Sequence, residues 1–380
     1  MILGINASRG RSGGARAHLI GILTEGDPLA HGISQVHVWS YGELLDSLPA
    51  QPWLVKHQPP ALAGSLLAQG FWERFTMPGE LRAAGCSLLL NVDAGTVSTF
   101  SPAITMSRDM LSYEPGEIQR FGIGRAWLRL LLLRWLQNRS LRSAEGAIFL
   151  SRHAAEMIQR SCGRIANWAL IPHGVGEAFK QTPPLQPWPQ PGSRPVHCLY
   201  VSPIWLFKHQ WMVVQAIERL RAKGHDVVLT IAGDGDAESK AKLAQQIVAS
   251  DPTGQMVRQL GHVAHRDLPA LLASADLFVF ASSCENMPNT VLEAMAVGLP
   301  IACSDRGPMP EVLGDGGVYF DPEDADAIAS SIERLIDDAA LRASVAQRAK
   351  ARAAAYSWAR CARETFAFAA RTHALAKVAP

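Results

Sequence analysis

The fold of this chain is decided by the stretch Cys284-Glu-Asn-Met-Pro-Asn-Thr-Val-Leu-Glu-Ala-Met-Ala-Val-Gly-Leu-Pro300. The run before it, 276–281, is apolar and contains β-branched and aromatic residues, which predicts a buried parallel strand ending near Ser282. Residues 283–288 are then expected to form the loop at the carboxyl end of that strand. Open α/β sheets bind their ligands at this edge.

A helix is expected to follow this loop, capped by Asn289 or Thr290 and ended by Gly298. Glu285 and Glu293 lie eight residues apart across the turn into this helix, so both carboxylates are aimed at one place. The first N–H groups of a helix attract anions such as phosphate, and carboxylates accept hydrogen bonds from hydroxyls. A phosphate together with hydroxyls describes a nucleotide sugar.

A purely structural alternative exists for one of these glutamates. Thr290-x-x-Glu293 has the spacing of a capping box, in which the carboxylate only fixes the start of the helix.

Residue by residue, 284–300 resembles the E-x7-E segment of the family-four retaining glycosyltransferases, and 301–324, IACSDRGPMPEVLGDGGVYFDPED, resembles its continuation. Within that family, the sequence most resembles those of bacterial polysaccharide mannosyl- and rhamnosyltransferases. The resemblance covers nearly the whole chain and implies the α/β fold called GT-B. This fold has two doubly wound, Rossmann-like domains facing a central cleft, and a C-terminal helix that crosses back to the first domain.

Composition agrees with two α/β domains and a small ligand. The chain has 380 residues, of which 48% are hydrophobic, enough for two cores. Its 36 Lys and Arg against 34 Asp and Glu leave a net charge of +2, which argues against a nucleic-acid partner. The six cysteines lack metal-binding spacing, and Met1 leads straight into a strand-like segment without a signal-peptide pattern. We therefore expect reduced thiols, no metal or other cofactor, and a cytoplasmic location.

Four segments are predicted along the chain. Residues 1–182 form the first, acceptor-side domain, and 183–195 form a stiff linker because it holds six prolines. Residues 196–355 form the nucleotide-sugar domain, and 356–380 form the returning helix. The predicted strands are 2–6, 36–40, 87–92, 146–150, 196–201, 227–232, 277–280 and 300–303, and the predicted helices include 15–23, 154–161, 209–223 and 324–337.

Lys208 is the candidate cation for the departing diphosphate, since it follows a predicted strand and lies where the family's diphosphate-binding Lys falls. Its alternative is a lysine exposed at a helix start. Relatives often carry an Arg five residues earlier, where this chain has Pro203, and Phe207 precedes the Lys. Either the helix after Asn289 compensates, contributing about 1–2 kcal/mol, or an arginine of the first domain does so, from among Arg9, Arg11 and Arg16.

The resemblance also assigns the donor contacts. Glu293 would bind ribose hydroxyls and Glu285 hexose hydroxyls, and Glu285 would also stabilise the sugar cation. The backbone of Asn286, Met287, Pro288 and Asn289 would contact the sugar, and the amides of Asn289 and Thr290 would touch phosphate. The glycine-rich loop that leads into the first helix would approach the donor through Gly13 and Gly14.

Three further motifs are candidates for a part in the chemistry. Ile104 to Glu114 resembles a segment in which relatives carry a His followed by Asp, and here the His position holds Arg108. Asp109 could orient the acceptor hydroxyl, although an Asp there is also an ordinary helix cap. His173 is read as a turn residue. Asp234-Gly-Asp236 could suggest a metal motif, but a turn is the expected structure.

Residues 123–142 combine arginines with Leu and Trp, a mixture that suits an anionic membrane surface but cannot span a bilayer. The alternative is a helix packed on the first domain with its arginines in water. The sequence thus predicts a retaining, metal-independent hexosyltransferase that uses a nucleoside-diphosphate sugar, of GDP-mannose or UDP type. Its acceptor would be a glycan or a lipid-linked glycan, used in surface polysaccharide synthesis at the inner face of the membrane. A nucleotide-sugar epimerase and a non-catalytic sugar-nucleotide-binding protein are the alternatives.

Overall fold

The computed structural model describes residues 1–10, 13–181 and 186–378. Contacts divide the chain into two compact units. Unit 1 comprises Met1–Gly174 together with Ser357–Pro380, and unit 2 comprises Val175–Tyr356. Residues 175–181, which the sequence assigned to the first domain, thus lie in unit 2, where Phe179 packs edge-on against His265 with ring centroids 5.3 Å apart.

Unit 1 contains, among its described residues, a seven-stranded parallel sheet in the order β3-β2-β1-β4-β5-β6-β7. The central strands are short apolar runs buried on both faces, as parallel sheets covered by helices require. The strands are β1 (Ile2–Asn6), β2 (Gln35–Trp39), β3 (Leu54–His57), β4 (Leu88–Asn91), β5 (Ala103–Met106), β6 (Gly146–Phe149) and β7 (Trp168–Leu170).

The helices of unit 1 cover this sheet, and the helix at the end of the chain packs on the first helix. Gly21 of α1 permits close approach of the two, because a Cβ there would lie 2.3 Å from the indole of Trp358. The α-helices are α1 (Gly13–Glu25), α2 (Gly42–Ser47), α3 (Leu66–Phe71), α4 (Met77–Ala83), α5 (Arg125–Ser143), α6 (Arg152–Cys162) and α15 (Trp358–Val378), and a π-helical turn, Trp72–Thr76, joins α3 to α4.

Unit 2 repeats the architecture with six parallel strands, counted over the described residues, in the order β10-β9-β8-β11-β12-β13. The strands are β8 (Val196–Val201), β9 (Val227–Ala232), β10 (Val257–Gly261), β11 (Leu277–Phe280), β12 (Ile301–Ser304) and β13 (Val318–Phe320). The helices are α7 (Glu177–Lys180), α8 (Gln210–Ala222), α9 (Ala237–Ser250), α10 (Leu268–Ala273), α11 (Asn289–Val297), α12 (Met309–Leu313), α13 (Ala325–Asp337) and α14 (Ala339–Ala353).

The prediction of two doubly wound α/β sheets is confirmed. All six cysteines are free and buried, and burial raises the pKa of the Cys86 and Cys361 thiols to about 12. Within the described ranges, every helix is too short or too polar to cross a lipid bilayer.

Candidate functional site

The loop and helix that follow β11 carry most of the predicted donor residues. Helix α11 begins at Asn289, its N-cap is Pro288 without a side-chain hydrogen bond, and it ends at Gly298, whose φ of 94° is left-handed. The prediction that Asn289 or Thr290 caps this helix is therefore wrong: Pro288 starts it early and places Thr290 within the first turn.

The capping-box alternative for Glu293 fails for the same reason. Its carboxylate, largely buried, accepts a hydrogen bond from Nε2 of His265 at 2.8 Å. His265 lies in a short 3-10 turn after β10, at the same sheet edge, and its own side chain is mostly exposed. The hydrogen bond that His265 donates to this carboxylate raises the pKa of His265 above its usual value.

Lys208 and Glu285 form a second, more deeply buried pair. Lys208 ends the 3-10 turn Leu206–Lys208 after β8, and its ammonium donates to Oε1 of Glu285. The ammonium also lies 5.3 Å from the ring centroids of both Phe207 and Phe280. The alternative of an exposed lysine at a helix start is therefore wrong, since Lys208 is only 5% exposed.

The two loops that carry this pair are hydrogen-bonded to each other. The amide of Ser283 donates to the Phe207 carbonyl at 2.9 Å, and the Ser283 hydroxyl lies 2.9 Å from Nε2 of His209. His209 has a left-handed φ of 49°, which reverses the chain between Lys208 and helix α8. The Tyr200 hydroxyl donates to the Lys208 carbonyl from β8. Adjacent strands β8 and β11 thus place Lys208 beside Glu285.

The remaining donor residues of unit 2 lie between these two pairs along the chain. Asn286, Met287 and Pro288 are buried in the loop, and Asn289 and Thr290 are half-buried at the start of α11. The Asn289 amide donates to the Met287 carbonyl at 3.0 Å.

The loop after β9 closes against the same edge. Gly235 lies against the backbone after β8, where a Cβ would be 1.9 Å from the Ile204 carbonyl oxygen. Asp234 pairs with Lys240 at 3.0 Å, and Asp236 caps helix α9 by accepting from the Ser239 amide at 2.9 Å. The two carboxylates thus have the structural partners that a turn requires.

Pro203 occupies the position where relatives often carry an arginine, and its carbonyl accepts from Nε2 of Gln210 at 2.9 Å. Of the arginines considered as substitutes, Arg9 pairs with Glu73 at 2.8 Å and Arg16 pairs with Glu43. Arg11 lies outside the described residues. The charges of Arg9 and Arg16 are thus already compensated within unit 1.

In unit 1, the predicted residues also lie at the carboxyl edge of the sheet. Gly13 and Gly14 are the first residues of α1. Asp109 follows β5 and caps a turn rather than a helix, because its carboxylate accepts from the Leu111 amide at 3.0 Å. The helix-cap alternative is therefore wrong. Burial raises the pKa of the Asp109 carboxyl.

A histidine that sequence reasoning missed lies beside Arg108. Nη1 of Arg108 is 3.3 Å from Nδ1 of His18, whose ring stacks on His173 with centroids 4.8 Å apart. Burial, followed by the charges of His173 and Arg108, lowers the pKa of His18 well below its usual value, so this ring is neutral at pH 7. The only feature of the sequence that could have pointed to His18 is its position in the helix that follows the Gly13-Gly14 loop.

Comparison with solved structures defines the class of this protein first. The fold is GT-B, shared with sucrose-phosphate synthase from Thermosynechococcus elongatus, with a TM-score of 0.74 and 18% identity over 96% of this chain and 97% of that one. It is also shared with WaaG, a glycosyltransferase involved in lipopolysaccharide biosynthesis, with a TM-score of 0.70 and 14% identity over 97% and 99%.

Sequence comparison then identifies the family of unit 2. Residues 195–338 match the family described as Glycosyl transferases group 1, so the chain contains a domain of this family. It is 38% identical over 120 residues to O-antigen chain mannosyltransferase B of Escherichia coli, covering 32% of each chain. It is 32% identical over 194 residues to phosphatidyl-myo-inositol mannosyltransferase of Mycolicibacterium smegmatis, covering 50% of this chain and 48% of that one. The chain thus spans about a third to a half of these curated relatives.

Proposed function

We propose that this protein is a retaining, metal-independent hexosyltransferase. It moves a hexose from a nucleoside-diphosphate sugar to a hydroxyl of a glycan or lipid-linked acceptor in surface polysaccharide synthesis. The observation that carries the proposal is the buried Lys208–Glu285 pair together with the contact of His265 with Glu293, inside a glycosyl transferases group 1 domain.

Lys208 supplies the positive charge that the reaction needs. Cleavage of the sugar–phosphate bond builds negative charge on the departing diphosphate, and a positioned cation in a site sheltered from water stabilises it. Lys208 is buried, and its contact with Glu285 holds the ammonium at this sheet edge before the diphosphate arrives. The start of α11 adds its partial positive charge at the same sheet edge.

Glu285 has two tasks in this scheme. With the donor bound, its carboxylate accepts from hexose hydroxyls and stabilises the positive charge that develops on the sugar. At the same time the Lys208 ammonium leaves Glu285 and binds the diphosphate. Donor binding is therefore an exchange of partners, in which the Lys208–Glu285 pair opens around the sugar–phosphate bond.

Glu293 binds the ribose hydroxyls. Its acceptor capacity is partly used by His265, at 2.8 Å. The ribose hydroxyls must replace this hydrogen bond or share the carboxylate with it. His265 is thus a positioning residue that holds Glu293 in place before the donor arrives.

The donor is most consistent with GDP-mannose. Two of the relatives are named as mannosyltransferases, and one of these is named for the O-antigen chain. A UDP-sugar is the second choice, because HepE of Anabaena, solved in complex with UDP and glucose, shares the fold with a TM-score of 0.70 at 19% identity over 96% of this chain and 98% of that one.

The acceptor is handled by unit 1. There we propose that Asp109 orients the acceptor hydroxyl, with Arg108 and His18 occupying the place where relatives carry a histidine. In this proposal Gly13 and Gly14, which lack side chains, let the backbone at the start of α1 approach the bound sugar closely.

A lipid-linked acceptor places the protein at the inner face of the membrane, in contact through 123–142. On α5 the exposed Leu128, Leu132 and Trp135 lie four and three residues apart, along one face. Residues 125–143 contain five arginines and no acidic residue. A surface of this kind suits anionic lipid headgroups. Protein that stays wholly in the soluble fraction with anionic vesicles would contradict this contact.

Glu293→Ala tests the proposed donor site. Losing hydrogen bonds from ribose to a charged acceptor should weaken binding of GDP-mannose or GDP by about 2–3 kcal/mol, roughly 30- to 150-fold. Titration calorimetry measures this affinity, and urea unfolding measures stability in parallel. Glu333→Ala is the matched control, since it removes a glutamate that pairs with Lys223 just before β9, at the opposite edge of the sheet.

Unchanged affinity in the Glu293→Ala variant would refute the assignment of the ribose site. Product analysis separates the function classes: a transferase forms a glycoside of retained anomeric configuration only when an acceptor is present. An epimerase would interconvert free donor without an acceptor, and a binding protein would leave the donor intact.

A further inference from the structure

Unit 1 carries a second exposed apolar face, on α3 and the π-helical turn that continues it. Leu67 is 86% exposed and Phe75 is 63% exposed, with Leu66 and Phe71 similarly open to solvent. Leu67, Phe71 and Phe75 recur every four residues and therefore form one stripe. The opposite side is anchored, because Trp72 is buried in the hydrophobic core of unit 1 and donates its indole N–H to Glu80 at 3.0 Å.

The exposed apolar residues of this face are clustered, whereas apolar surface residues usually occur singly. Fourteen large hydrophobic side chains are exposed in the part of the chain that the structure describes. Eight of them belong to two segments of unit 1, namely Leu66, Leu67, Phe71 and Phe75 here and Ile123, Leu128, Leu132 and Trp135 at α5. Contiguous exposed apolar residues mark an interaction surface, whereas single ones do not.

The charge next to the stripe is positive. Glu73 is the only acidic residue of 66–76, and its carboxylate is turned inward, where it accepts from Arg9 at 2.8 Å and from the Thr96 hydroxyl at 2.6 Å. Arg74 is half-buried, with its guanidinium 5.6 Å from the ring centroid of Phe75. Apolar side chains bordered by arginine suit the headgroup region of an anionic bilayer.

The same charges disfavour a second copy of this chain as the partner. In a two-fold interface the same face of both copies meets, so Arg74 of one copy would be brought towards Arg74 of the other. Anionic lipid neutralises them instead.

The stripe and α5 flank one loop of unit 1. The hydroxyl of Thr99 donates to the Arg74 carbonyl at 3.2 Å. On the other side, a Cβ built on Gly95 would lie 3.6 Å from both Nη1 of Arg9 and Cδ1 of Leu133 in α5. Glu73 also accepts from the Asn6 side chain at 2.7 Å, which ties the stripe to the end of β1. Both apolar segments therefore border the carboxyl edge of the sheet.

We propose that Leu66, Leu67, Phe71 and Phe75 insert into the surface of an anionic bilayer, as a second contact beside α5. Two contacts fix the orientation of unit 1 on the membrane, with the carboxyl edge of its sheet near the headgroups. This inference rests on the proposed function for the lipid-linked acceptor, whose sugar would emerge at that level. The bilayer contact itself is measured without donor or acceptor.

Direct insertion is tested by a fluorescent label. Because all six native thiols are buried, Leu67→Cys introduces an exposed thiol that reacts selectively with a nitrobenzoxadiazole dye. Adding vesicles of phosphatidylcholine and phosphatidylglycerol should shift its emission to the blue. Val248→Cys, at a residue 73% exposed on α9 of unit 2, is the matched control and should show no shift. Equal emission of both labels with and without vesicles would overturn the proposal.

Binding strength is tested by co-sedimentation with the same vesicles. The triple variant Leu67→Ser, Phe71→Ser, Phe75→Ser should bind at least about tenfold more weakly than the native chain, since three apolar side chains lose their transfer into lipid. Val248→Ser should bind like the native chain. Equal binding of the triple variant, or equal binding to pure phosphatidylcholine, would overturn the proposal. So would a dimer that the triple substitution converts to monomer without weaker vesicle binding.

Activity toward a water-soluble acceptor separates this inference from the proposed function. The triple variant should keep that activity, because none of its three residues belongs to the proposed donor or acceptor site. A native chain that binds vesicles through Leu67 but never turns over a nucleotide sugar would contradict the proposed function alone. Turnover in solution with no vesicle binding through this face would contradict only the inference.

Discussion

The Lys208–Glu285 pair allows structure and chemistry to be separated by one set of variants. Lys208→Met removes the ammonium and keeps an unbranched apolar side chain beside Phe207 and Phe280. Glu285 then lacks its cation in a site where its side chain is only 14% exposed. Breaking one half of a buried ion pair costs about 3–5 kcal/mol. We expect the lower end, about 3 kcal/mol, because Glu285 keeps some contact with water.

The double variant Lys208→Met, Glu285→Gln should recover most of that loss. With both charges removed, no buried charge is left unpaired, and neutral replacement of a buried pair is often close to neutral for stability. The expected coupling energy between the two positions is at least about 2 kcal/mol, because Glu285→Gln alone also leaves a buried charge, that of Lys208, without its partner. Donor binding should not recover, because the diphosphate still lacks its cation.

Urea unfolding of the two single variants and the double variant gives the coupling energy, and calorimetry with GDP and GDP-mannose gives the affinities. Additive stability effects would show that the two side chains do not interact as the structure has them. Near-native affinity in the double variant would refute the role of Lys208 at the diphosphate, even if the pair proved important for stability.

Two further predictions concern neighbouring positions. Glu293 raises the pKa of His265, so the stability from this contact is complete below the ordinary histidine pKa of about 6.5 and is lost as pH rises through the raised value. His265→Gln should remove this pH dependence from the urea-unfolding midpoints. In the native chain, donor affinity should rise with pH over the same window, because a neutral His265 competes less with ribose for Glu293. An affinity that does not change with pH would show that His265 and ribose do not compete for Glu293. Gly235→Ala should destabilise the protein by about 2 kcal/mol or more, since its Cβ would lie 1.9 Å from the Ile204 carbonyl oxygen. Gly79→Ala, with open space around the Cβ in helix α4, should be neutral or stabilising, and urea unfolding measures both glycine variants.

The fold was predictable from the sequence wherever apolar runs are buried on both faces. Strands 196–201, 227–232 and 277–280 have the predicted bounds because each is an apolar or β-branched run, interrupted only by His197 in the first. The missed strands include β10, Val257–Gly261, which contains Arg258 and Gln259 and lies at the edge of its sheet. An edge strand buries little, so its sequence shows no apolar pattern.

The site was predictable only as a set of residues at strand ends. Lys208 and Glu285 were both identified, but their pairing joins positions 77 residues apart and depends on β8 and β11 being neighbours. The partner of Glu293 could not be found at all, because His265 reaches it from the turn after β10. A local pattern, the capping box, suggested the wrong partner instead. These contacts depend on the order of the strands in the sheet, and that order cannot be read from the local patterns of a single sequence.

Because Pro203 stands where relatives often carry an arginine, Lys208 must neutralise more of the charge on the diphosphate. Arg9 and Arg16 are engaged by Glu73 and Glu43, so a contribution from either arginine to the diphosphate would first require breaking an ion pair. Lys208 needs only to exchange Glu285 for the diphosphate while the hexose hydroxyls take over that carboxylate. After the exchange the Lys208 ammonium still faces an anion, and the Glu285 carboxylate still accepts hydrogen bonds. Lys208, supported by the N-terminus of α11, is therefore the cation most readily available to the leaving group.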